Sequence, residues 1–137
     1  MKLLVGTYTG KGSDGIYSLD FDPASGTLSN EKLLVHTNNP SFLTYDHSGN
    51  FVFSVNEGRE GRVSSFKWNP DKSALMPVNE QSSEGSSPCS IELNGEGNLL
   101  AVANYGSGNV AVYTVNDDSR IHADPTVFQH EGSGPVL

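Results

Sequence analysis

At 137 residues, with 35% hydrophobic residues and 15 glycines, the chain is long enough for one ordinary domain with a sizeable core. Eight Lys and Arg against 16 Asp and Glu leave a net charge of −8, which argues against nucleic acid and against anionic membrane surfaces as partners. No stretch approaches the roughly 20 apolar residues that cross a bilayer.

The first residues, Met1-Lys2-Leu3-Leu4-Val5, lack the apolar run and small-residue cleavage site of a signal peptide. The single cysteine, Cys89, forms no intrachain disulfide. Both features make the cytoplasm the expected compartment. Lys2–Thr9 reads as a strand. Further on, Asn39-Pro40 opens a run of four short strands. Ser41–Asp46 is the first, followed by a turn at His47-Ser48-Gly49-Asn50, where Gly49 supplies a positive φ. Phe51–Glu57 is the second and Arg62–Trp68 the third, with a loop at Gly58–Gly61 between them. Leu75–Gln81 is the fourth. Pro77 interrupts it, which suits an outer edge strand that can spare a donor. Strands two and three carry apolar or small residues on both faces, as a strand buried between neighbouring sheets requires.

The pattern then repeats. Pro40, Gly49, Asn50 and Asn56 return as Pro88, Gly97, Asn98 and Asn104, each 48 residues on. Val63 returns as Val110, Pro88 as Pro135, and Asp22-Pro23 as Asn69-Pro70, each 47 residues on. Four short strands per period of 47 to 48 residues describe β-propeller blades. A β-solenoid has a shorter period, and an immunoglobulin-like sandwich does not repeat its own sequence. The fold expected is therefore all-β, made of four-stranded antiparallel blades near 2–35, 40–83 and 88–131. The first lacks its innermost strand. A propeller needs about four to eight blades to close. We therefore expect 1–137 to be the N-terminal part of a single propeller domain, an incomplete ring.

Several segments resemble the lactonase (6-phosphogluconolactonase-like) family of seven-bladed propellers, in the right order along the whole chain. They are Leu4-Val5-Gly6-Thr7-Tyr8-Thr9, Gly15-Ile16-Tyr17, Asn39-Pro40-Ser41-Phe42, Val55-Asn56-Glu57, Ser87-Pro88-Cys89, Ala103-Asn104-Tyr105-Gly106 and Gln129-His130-Glu131-Gly132-Ser133-Gly134-Pro135. The closing segment, in series with the others, is the most specific. The resemblance implies hydrolysis of a sugar lactone by a full-length parent, 6-phosphoglucono-1,5-lactone to 6-phosphogluconate in the pentose phosphate pathway. It also implies that further catalytic groups lie after Leu137, so the fragment alone is expected to be inactive. Two alternatives are a non-enzymatic propeller that binds a ligand or a protein, and a muconate-lactonising cycloisomerase relative.

Blade geometry sorts the candidate residues. The loops between strands two and three share one end of the ring with the segments that open each blade, and propellers bind ligands at the mouth of the central channel. On that end fall the expected substrate-binding residues Tyr8, Asn56, Glu57, Asn104 and Tyr105. His130 and Glu131 are the expected catalytic pair, because lactone opening needs a base to activate water and a donor for the oxyanion. The blander reading of the pair is a loop His and a solvated Glu shaping the turn before Pro135. Asn56 and Asn104 end equivalent strands, where a positive φ would explain an architectural asparagine. Tyr8 and Tyr105 read as packing residues in the bland case, Arg59 as a solvated loop residue, and Cys89 as structural. No metal site and no cofactor are expected, since no ligand spacing is present. The partners expected are a small-molecule sugar lactone and either the remaining blades or a second copy, covering the open blade faces.

Overall fold

The computed structural model describes residues 1–133. Among them eleven strands form three antiparallel sheets and no helix occurs. The first sheet contains β1 (Lys2–Val5), β2 (Gly15–Asp22) and β3 (Thr27–His36). The second has β4 (Leu43–Tyr45), β5 (Phe51–Asn56), β6 (Arg62–Trp68) and β7 (Leu75–Ser82) in that order. The third has β8 (Pro88–Leu93), β9 (Leu99–Asn104), β10 (Asn109–Thr114) and β11 (Thr126–Gln129). Each sheet is a meander in which consecutive strands pair. The expected fold class, an open series of propeller blades, is what the sheets form.

Equivalent positions repeat down to single hydrogen bonds. The Asp46 carboxylate accepts from the amides of Asn50 and Phe51 at 2.9 and 2.8 Å, and the Asn94 amide oxygen accepts from Asn98 and Leu99 at 3.0 and 2.9 Å. Gly49 and Gly97 take φ of 67° and 76° in those turns. Burial alone would raise the Asp46 carboxyl, but the Ser48 hydroxyl and the three turn amides outweigh it and hold the group below the usual range. Pro40 and Pro88 are both fully buried at the opening of their blades. Pro135, their third equivalent in sequence, lies outside the described residues.

Two expectations are corrected. The first strand of the second blade covers only Leu43–Tyr45, because Ser41 still turns back, its amide donating to the Asn39 carbonyl at 2.8 Å. Asn56 and Asn104 do not take a positive φ. That conformation falls one blade-opening away, at Asn39 (42°) and Ser87 (52°), each immediately before its proline.

The blades pack face to face through the alternation of strand residues. In β5, Val52 joins Ile16 and Leu34 of the first sheet, while Phe53 and Val55 join Ile91, Leu100 and Val102 of the third. β6 divides the same way, with Phe66 toward the first blade and Val63 toward the third. Pro77 lies on the outer strand β7 opposite Phe66, at a register shift beside Ser65, where the ladder can spare its missing N–H. The outward face of the third sheet is also apolar. Leu99, Ala101 and Ala103 on β9 stand beside Val110 and Val112 on β10, and none of these five is fully buried. Phe128 on β11 continues that row and is 56% exposed.

Candidate functional site: the loop end of the blades

The loops after β1, β5 and β9 lie at one end of the sheets, with the β3–β4 and β7–β8 connections beside them. Tyr8, Glu57 and Tyr105 occupy the same place in three successive blades, just past the end of strand two. The amides of Glu57 and Tyr105 make the same bond, to the carbonyls of Asn39 and Ser87 at 2.9 and 3.0 Å. Tyr8 and Tyr105 are 66% and 83% exposed, so neither is a packing residue.

Three of these segments converge on one carboxylate. The Tyr8 hydroxyl donates to Glu57 Oε2 at 2.8 Å, and the Ser41 hydroxyl donates to the same oxygen at 2.6 Å. Asn39 braces the group from below: its Nδ2 donates to the Glu57 carbonyl at 3.0 Å, and its Oδ1 accepts from the amide of Thr9 at 2.8 Å. The bond to Glu57, then the charge of Glu57, push the Tyr8 phenol above its ordinary value, so it remains a donor across neutral pH. Both hydroxyls donate to Oε2, leaving Oε1 for a ligand. Such an arrangement can accept from a sugar hydroxyl or from an activated water.

Asn56 and Asn104 bind other protein groups. Asn56 Nδ2 donates to Thr37 Oγ1 at 2.8 Å and to the Asn38 carbonyl at 2.6 Å, while its Oδ1 accepts from Ser64 Oγ at 2.6 Å. Asn104 is buried and its Nδ2 donates to the Ser83 carbonyl at 2.7 Å. Each ties a central strand to the connection arriving from the blade before. His130 and Glu131 follow β11, the outermost strand of the third sheet, at the same end. Both are exposed, and among the described hydrogen bonds His130 takes part only through its backbone, its amide donating to the Gly108 carbonyl at 3.0 Å. Cys89, the equivalent of Ser41 one blade on, is exposed, as are His36, His47 and His122.

Ser41 lies on the expected end, at a blade entry, but is not among the expected binding residues. Its position directly after the repeat proline was the available signal, since that places it where the innermost strand begins.

The profile of the Lactonase, 7-bladed beta-propeller family matches residues 2–137. The chain belongs to that family. Eleven strands are about two-fifths of the twenty-eight in seven four-stranded blades, in step with the lengths of the lactonase relatives. A Bacillus subtilis protein described as 6-phosphogluconolactonase is 31% identical over 96% of this chain and 38% of its own length. A Bacteroides fragilis crystal structure, put forward as a 6-phosphogluconolactonase, superposes with a TM-score of 0.87 at 34% identity, over 98% of this chain and 37% of that one. A Pseudomonas aeruginosa structure described as a periplasmic gluconolactonase gives 0.81 at 33% identity, over 91% of this chain and 38% of that one. The chain thus spans a little over a third of the lactonases that it matches. No helix among the described residues is long and apolar enough to cross a membrane, which says nothing of β-barrels.

Proposed function

We propose that the full-length protein containing these blades hydrolyses a sugar lactone at the channel mouth, with 6-phosphoglucono-1,5-lactone as substrate and 6-phosphogluconate as product. One observation carries the reading: a relative that matches nearly the whole chain is described as 6-phosphogluconolactonase. The convergence of Tyr8 and Ser41 on Glu57 supports it, because a held carboxylate suits a polyhydroxylated ligand. In the reaction, water adds to the acyl carbon, the ring C–O bond breaks, and the proton lost by water ends on the released hydroxyl. Tyr8, Glu57 and Tyr105 bind the sugar in this reading. Asn56 and Asn104 act behind them by fixing the strand ends. His130 and Glu131 are the proposed base and donor. The lone thiol of Cys89 supports a cytoplasmic protein, and the periplasmic relative marks the alternative that cell fractionation decides.

Separate His130→Asn and Glu131→Gln substitutions in the full-length protein test the catalytic pair. Loss of an essential acid–base group lowers turnover by about 10²- to 10⁴-fold, read against spontaneous lactone opening. Turnover within a few-fold of the parent in both variants, with the fold intact, would return these residues to the turn.

A further inference from the structure

The connection between the second and third blades is stitched shut. Besides the Asn104 bond to Ser83, Asn109 Nδ2 donates to the Glu84 carbonyl at 2.8 Å and Ser107 Oγ accepts from the Ser86 amide at 3.1 Å. The preceding blade's loop closes it from the other side, with Gly61 N donating to the Gly85 carbonyl at 3.1 Å. A Cβ on Gly85 would stand 2.6 Å from both Asn104 Cγ and Asn109 Oδ1, so nothing further fits there.

The equivalent place between the first and second blades keeps the Asn56 bonds to Thr37 and Asn38 and a bond from the Thr37 amide to the Asp14 carbonyl at 3.2 Å, but lacks the second stitching side chain. Asn56 pairs with Arg62 as Asn104 pairs with Asn109, so Arg62 stands where the stitching asparagine would be. Its guanidinium turns away from the connection to Glu80 on β7, at 2.8 Å. The loop over it, Gly6–Asp14, is nine residues long, against five in Glu57–Gly61. Together these leave a cleft of about 560 Å³, a size usual for small-molecule sites.

Every residue lining the cleft is polar or a glycine. Asp14 and Glu80 outnumber Arg62, which Glu80 already pairs, so a free anion is disfavoured. Among the described residues no three His, Cys, Asp or Glu side chains are grouped to hold a metal ion. A wall that offers carboxylates, a guanidinium, the Asn38 amide and the Thr37 hydroxyl suits a ligand whose groups both donate and accept. We propose that this cleft binds a neutral polyhydroxylated molecule, a free sugar or polyol, outward from Tyr8 and Glu57. The proposal does not rest on the lactonase reading, and its test reads binding rather than turnover.

Saturation-transfer NMR with D-glucose reports weak binding at any oligomeric state. The chain should bind it with a dissociation constant of roughly 1 mM, a modest affinity for a small ligand. Arg62→Asn installs the side chain that the third blade uses at this position and should weaken binding at least about tenfold, whereas Glu96→Gln, in the exposed turn at the opposite end, should leave it unchanged. Should Arg62→Asn lose its β circular dichroism, Asp14→Asn, at the exposed rim, replaces it with the same expected direction. An undiminished signal in the folded variant overturns the proposal. So does the absence of transfer from D-glucose, or its displacement by equimolar glycine betaine, which would assign the cleft to zwitterions.

Discussion

Glu57→Gln in the full-length protein is expected to lower kcat/KM for the lactone by about 10- to 100-fold. A hydrogen bond to a charged group contributes about 1.5–3 kcal/mol, and each 1.4 kcal/mol is a factor of ten. Glutamine keeps the shape and still accepts from Tyr8 and Ser41, so the loss isolates the charge. An effect concentrated in KM marks Glu57 as a binding group; an equal fall in kcat and kcat/KM marks it as active in the transition state. Tyr8→Phe and Ser41→Ala remove one neutral donor each from Glu57 Oε2, and each should cost only about 2- to 10-fold. A Glu57→Gln enzyme within twofold of the parent would remove this carboxylate from the site.

The 137-residue chain by itself is expected to give no lactone turnover above the spontaneous rate and to self-associate. An arc of three blades encloses no channel. Its two outer faces are apolar: Leu3, Val5, Tyr17 and Leu33 on the first sheet, and the row from Leu99 to Phe128 on the third. Apolar faces of this extent drive association despite the net charge of −8. Sedimentation velocity should show species heavier than the 14.6 kDa monomer. A monodisperse monomer, or a chain with appreciable turnover, would contradict this expectation.

The fold was legible because a repeat states each element more than once. Pro40 and Pro88, Gly49 and Gly97, and Asn56 and Asn104 mark the same three places in two blades, and the pleat period does the rest. Pro77 announced an edge strand, since only an edge can lose a donor. What the repeat could not reveal was where its side chains point. Asn56 and Asn104 recur because their amides fasten each blade to the connection before it, and such bonds span 18 to 21 residues. Their backbones need no positive φ; the residues before the prolines absorb the sharp turn instead. The Glu57 cluster was half visible. Tyr8, Glu57, Ser41 and Asn39 all fall on the expected end, but the bonds that Tyr8 and Thr9 make to Glu57 and Asn39 cross from one blade to the next, which a repeat within each blade does not state. The cleft at Arg62 was hidden for a related reason, since it depends on a departure from the repeat.

Crystallography of the full-length protein soaked with 6-phosphogluconate tests most directly whether the end bearing Tyr8 and Glu57 is the functional end. The product is expected at the channel mouth, with a sugar hydroxyl about 2.5–3.0 Å from the Glu57 carboxylate, the ordinary range for such a bond. Product ordered at the opposite end, beside the His47–Asn50 and Gly95–Asn98 turns, would contradict the assignment.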